Sequence, residues 1–335
     1  LLFVAVGVFI TSAATAHPMP NSVVLLTVHP DRINAEIQIP LSEFEAATGR
    51  AVNEPSGDPL RRLAPWLRTY MLRHLRVETP GGEAWKVGIG DMTVHETRNA
   101  INGTYRELVV HAEMIPASGT DVREFTLYYD AVLHQVATHK ILVAVKQDWD
   151  NGQFAGDASA QVGTIEQDIV NNRILPLAVH LKPGDIWVGF TSMVRLGMRH
   201  IAEGTDHLLF LLVLLLPAPL LFDRKRWTTF GGTRYSLVHL LRIVTAFTIG
   251  HSLTLLFGAM GWVHLPGRPV ELLIAVSILV SAIHAWRPLF PGREALVAAA
   301  FGLVHGLAFA DTLAGLSLDT ARMVISILGF NAGIE

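Results

Sequence analysis

The chain has 335 residues, half of them apolar, with 16% charged residues, a formal charge of −3 and no cysteine. Soluble domains carry about a quarter charged residues, so a mean hydropathy of +0.38 points to one unit built for lipid. The missing cysteine excludes disulfide scaffolds, thiolate metal sites, iron–sulfur clusters and cysteine nucleophiles, and the near-neutral charge argues against a nucleic-acid partner.

Residues 1–16 form an apolar run closed by Ala14-Thr15-Ala16, the small-x-small pattern of a signal peptide. Cleavage there gives a mature N-terminus His17-Pro18 outside the cytoplasm, where the α-amino group and imidazole can chelate one ion. Residues 17–185 read as an extracytoplasmic, β-rich, sandwich-like domain. The β-branched runs 23–28 and 33–39 flank His29-Pro30-Asp31-Arg32, a hairpin signal. Further strands are expected at 106–114, 124–132 and 140–147, and helical spacing of Leu60, Leu63, Trp66, Leu67, Tyr70, Met71 and Leu75 predicts a helix over 60–75. The Asp-, Gly- and Asn-rich stretch 147–167 reads as a surface loop without the EF-hand glycine and glutamate.

From 186 to 335 an all-α polytopic transmembrane bundle is expected, with about five spans at 208–222, 236–260, 270–286, 295–314 and 321–335. The last stops without a flanking loop, so further helices are expected beyond it. Arg224, Lys225, Arg226 and Arg234 lie in the first connection and Arg287 and Arg293 in the third. By the positive-inside rule both loops are cytoplasmic, which agrees with a secreted N-terminal domain.

An ionisable side chain at mid-membrane costs about 2.5–3.5 kcal/mol on insertion scales, so each is a functional candidate. The candidate metal ligands are His200, Glu203, Asp206, His207, His251, Glu271, His305 and Asp311. His207, His251, Glu271, His305 and Asp311 share the outer half of their spans and are expected to converge on one pocket. At about 100° per residue His200 and His207 share a helix face; a break at Gly204-Thr205 would let Asp206 cap the next helix and orient His207. His239 and His284 fall towards the cytoplasmic ends, where they can serve an inner route.

His200-Ile201-Ala202-Glu203-Gly204-Thr205-Asp206-His207 resembles the H-x₅-D-H motif of the HupE/UreJ family of membrane proteins. A second family signature, F-H-G-x-A-x-G-x-E, is met in part by Val304-His305-Gly306-Leu307-Ala308-Phe309-Ala310-Asp311-Thr312; Val304, Ala310 and Thr312 depart from it. The resemblance covers about 190–335 and suggests the longer branch, with an extracytoplasmic domain. It implies a nickel or cobalt permease associated with hydrogenase and urease systems, a bacterial inner-membrane location, and metal handling by His200, Asp206, His207 and His305. Metalloenzyme maturation partners are a further expectation.

The residues themselves leave three functions open. The first is a permease for a divalent transition metal, nickel foremost, with Zn²⁺, Co²⁺ or Cu²⁺ compatible with imidazole and carboxylate ligands. The second is an intramembrane zinc hydrolase using the same cluster. The third is a membrane-anchored metal sensor or assembly factor.

Overall fold

A computed structural model describes residues 20–50, 52, 59–99, 103–154, 156–224, 226–263 and 265–335. The side chains at 59, 61, 99, 205–207, 211 and 311 lie outside that description, as do the expected signal peptide and His17. The chain divides into two units, Leu1–Lys146 with Ala158–Leu181, and Gln147–Asp157 with Lys182–Glu335.

The first unit runs β1 (Ser22–Val28), β2 (Ile33–Pro40), α1 (Leu41–Thr48), α2 (Pro59–His74), β3 (Leu75–Glu78), β4 (Lys86–Asn99), β5 (Gly103–Ile115), β6 (Glu124–Tyr129), β7 (Ile141–Asp148), β8 (Ala160–Ile165), β9 (Gln167–Asp168), β10 (Arg173–Ile174) and β11 (Leu177–His180). One sheet has the order β4-β5-β2-β1-β7-β8, a second β11-β6-β3, and β9 and β10 form a short ribbon. The expected hairpin is present, with β1 antiparallel to β2 and Leu25 opposite Glu36. Strict alternation along β1 and β2 sends Val24, Leu26, Ile33, Ile37 and Ile39 into one core with Val77, Phe125, Leu127 and Tyr129 from the smaller sheet. Each such side chain contributes about 1.5–3 kcal/mol on burial.

Strand β4 was not foreseen. Its partly buried apolar residues are Val87 and Ile89, then Met92 and Val94, and the register shifts between Ile89 and Met92. That bulge breaks the two-residue period on which the sequence reading depends. Strand β6 ends at Tyr129, earlier than expected, and the chain turns at Val132, whose φ is 69°. The stretch expected to be one surface loop, 147–167, divides: 147–157 belongs to the helical unit, and β8 follows.

The second unit comprises α3 (Ile186–Glu203), α4 (Thr205–Leu215), β12 (Leu220–Asp223), β13 (Arg226–Phe230), α5 (Thr233–Ala259), α6 (Gly267–Trp286), α7 (Glu294–Ala314) and α8 (Thr320–Ile334). Among the described residues, α5 and α6 are the two helices long and apolar enough to cross a membrane, and Glu294–Ala310 and Thr320–Ile334 are shorter apolar stretches. The expected first span over 208–222 is not one helix. Helix α4 has 11 residues, about 16 Å; Pro217 and Pro219 follow, and β12 opens a hairpin with β13. Proline supplies no amide hydrogen to continue a helix.

Glycines weld the helices into two parallel pairs. A methyl group on Gly302 of α7 would overlap the Phe247 carbonyl of α5, one on Gly250 would overlap that of Ala299, and one on Gly306 would meet Thr254. Likewise Gly197 of α3 lies against Phe330 of α8, and Gly333 against Val194. Small residues at such positions let helix backbones touch in a membrane protein, where packing replaces the hydrophobic effect. The 147–157 segment adds a polar clamp within this unit. Trp149 Nε1 donates to Ser326 Oγ at 2.8 Å, and the Arg322 guanidinium donates twice to Asp150, at 2.8 and 2.9 Å.

Candidate functional site

Helix α3 ends at Glu203 because Gly204 is extended, with φ −82° and ψ 90°, and α4 restarts at Thr205. This is the break considered at Gly204-Thr205. It places His200 in the last turn of α3 and Asp206 and His207 in the first turn of α4; the side chains of Asp206, His207 and Asp311 lie outside the described residues.

His251 is 2% exposed on α5. Its Nδ1 lies 3.1 Å from Asn331 Oδ1 of α8. The Asn331 amide nitrogen donates to Ser252 Oγ and to the Ile327 carbonyl, both at 2.8 Å. With both amide hydrogens committed, the side Asn331 turns to His251 is its oxygen, an acceptor. His251 therefore carries its proton on Nδ1 in the neutral ring, and Nε2 keeps the lone pair.

His305 is 1% exposed on α7 and is fixed in the opposite tautomer. Its Nε2 meets Ser277 Oγ of α6 at 2.9 Å, and that hydroxyl spends its one hydrogen on the Ile274 carbonyl at 2.7 Å. Ser277 must then accept from His305 Nε2, which leaves the lone pair on Nδ1. Each buried imidazole thus has a partner that fixes ring and tautomer, the arrangement that orients histidine ligands at metal centres.

Aromatic rings knit three of the candidate histidines together. Phe247 lies 5.9 Å from His251 and 5.4 Å from His305, centroid to centroid. Phe330 lies 6.2 Å from His251 and 5.4 Å from His200, and Phe210 packs on His305 at 4.5 Å. His200 and Glu203 line an open cavity of about 460 Å³ together with Asp157, Arg199, Phe309 and Thr312. Glu271 is exposed on the second turn of α6. Among the described residues, no three His, Asp or Glu side chains close on one point as a metal-holding group.

Sequence reasoning missed Asn331, Ser277 and α3 as a packed helix. Ser252, next to His251 in sequence, donates to the Thr248 carbonyl at 2.7 Å and accepts from Asn331. His284, expected to serve an inner route, is fully buried, with Nδ1 accepting from the Leu289 and Phe290 amides.

Two helices long and apolar enough to cross a bilayer, packed through glycines and carrying buried imidazoles at their interfaces, are the features of a membrane protein. Residues 178–335, just under half of the chain, match the family model described as HupE / UreJ protein; this stretch is similar to that family, whose members are membrane proteins broadly linked to nickel and cobalt. No curated protein matches the chain.

Proposed function

We propose that the chain is a permease that moves a divalent transition-metal cation, nickel first, across a bacterial inner membrane. The observation that carries this reading is the pair His251 and His305, buried on neighbouring helices with each ring oriented by a polar side chain from another helix. Neutral imidazoles suit Ni²⁺, Co²⁺, Zn²⁺ and Cu²⁺, and the likeness of residues 178–335 to the HupE/UreJ family favours nickel or cobalt. Asp206 and His207, in the first turn of α4, complete the ligand set in this proposal, with Asp311 and Glu271 at its edge. The cavity bordered by His200 and Glu203 is the entrance. Connections 216–232 and 287–293 face the cytoplasm, and the β-rich unit faces the periplasm.

The test is flux. Purified full-length protein in sealed vesicles should accumulate Ni²⁺ down an imposed gradient, and His251→Ala and His305→Ala should each cut the initial rate at least about tenfold. Uptake equal to protein-free vesicles would contradict transport.

A further inference from the structure

We propose a second divalent-cation site, ligated by His239 of α5 and Glu294 of α7, as the point from which the cargo leaves; it rests on the permease reading. Helices α5 and α7 run parallel in a nearly constant register, Gly302 lying against Phe247 and Gly306 against Thr254. His239 precedes His251 by 12 residues and Glu294 precedes His305 by 11. Both ligands therefore sit about 16–18 Å along the helices from the first histidine pair.

The geometry is that of a waiting ligand pair. His239 Nε2 stands 3.8 Å from Glu294 Oε2, too far for a hydrogen bond. Glu294 is 6% exposed, and its Oε1 accepts from the Gly292 amide at 2.9 Å, which fixes the carboxylate. Tyr235, one turn before His239, stacks on the imidazole at 5.6 Å and 12°. An imidazole nitrogen and a carboxylate oxygen bind first-row divalent cations at about 2.0–2.2 Å each, so one ion fits between them at a wide ligand angle.

His284 supplies the independent observation. Its Nδ1 accepts from two backbone amides, Leu289 at 3.1 Å and Phe290 at 3.4 Å, so the ring proton is on Nε2. That nitrogen is buried without a hydrogen-bond partner. A buried N–H without an acceptor is unfavourable. Having its hydrogen there, Nε2 cannot ligate a metal; it can donate to a water held by the cation. The site thus offers two protein ligands, one orienting donor and water, a set weak enough to release the ion. Ser277, Ser281 and His284 share one buried face of α6 at i, i+4 and i+7, a polar line from the His305 partner towards this pair.

Equilibrium dialysis of the full-length chain in detergent against Co²⁺ alone tests the proposal, with Co²⁺ absorption reporting ligand type. The wild type should bind two ions. Glu294→Gln, which keeps an acceptor for Gly292, and His239→Asn should each weaken one ion at least tenfold and spare the other, while His305→Ala should do the reverse. Two ions bound unchanged in both Glu294→Gln and His239→Asn, or a single wild-type ion lost only with His305→Ala, would overturn the second site. Loss in the Glu294 and His239 variants with retention in His305→Ala would instead leave this site standing and sink the permease reading of the first. Helical circular dichroism checks folding, and if Glu294→Gln misfolds, His239→Asn carries the test.

Discussion

His251 on α5 and Asn331 on α8 are joined by a 3.1 Å hydrogen bond in which the imidazole Nδ1 donates and the amide oxygen accepts. The two residues are 80 positions apart. Because Asn331 is itself held by Ser252 and Ile327, one amide fixes which nitrogen of His251 carries the proton.

Asn331→Ala should leave the helices folded and weaken Ni²⁺ binding by about 10–100-fold, the usual effect of removing a residue that orients a ligand histidine. Isothermal titration of the full-length protein checks this. Asn331→Asp, which keeps an oxygen facing Nδ1, should lose less; equal losses would deny the orienting role.

Gly302→Ala should destabilise the helical unit by about 1–3 kcal/mol, because the added methyl group overlaps the Phe247 carbonyl and backbone cannot give way cheaply. Thermal unfolding in detergent measures it. Gly292→Ala is the comparison: that position has no neighbour within 4 Å but a φ of 79°, so its cost is backbone strain alone.

The β-rich unit should weaken in acid. His139 is buried between Ser22 Oγ at 2.8 Å and Glu43 Oε2 at 3.2 Å, and burial pushes its pKa down from 6.5 to about 4. Unfolded chains bind this proton below about 6.5 and the folded unit only below about 4, so His139 contributes stability above pH 6.5 that is lost as pH falls towards 4. The contribution is about 3 kcal/mol. Burial also raises the Glu43 carboxyl, an opposing contribution that is lost as pH rises above 4.5. The protection of β1 amides, taken as exchange relative to the intrinsic rate at each pH, should fall between pH 6.5 and 4, and His139→Gln should flatten that dependence. A flat wild-type profile would refute the assignment.

Asp150→Asn should loosen the 147–157 segment by removing the charge behind two Arg322 hydrogen bonds, about 1.5–3 kcal/mol for bonds to a charged group. Limited proteolysis should then cut within 151–158 faster than in the wild type. Unchanged cleavage would mean that Trp149 and Ser326 hold the segment unaided.

Much of this structure was legible where a single period governs the residues. The β1–β2 alternation and the apolar stretches of α5 to α8 emerge within a few residues of their expected limits because one buried face or an all-apolar surface dictates them. The bulge in β4 shifts the phase between Ile89 and Met92, and Pro217 and Pro219 divide an apolar run that hydropathy alone joins. Among the site residues, His200, His251 and His305 stood out because charge-capable side chains are costly in lipid. Asn331 and Ser277 carry no such mark. Their importance arises only from the packing of α5 on α8 and of α6 on α7, which sequence spacing does not reveal.

The central claim is that His251 and His305 serve one divalent-metal site. Metal content by mass spectrometry, on full-length protein purified without a metal-binding tag and equilibrated with Ni²⁺, tests it most directly against His251→Ala and His305→Ala. The account predicts that the same ion is depleted in both variants while their helical content is unchanged. Full retention in both would contradict it.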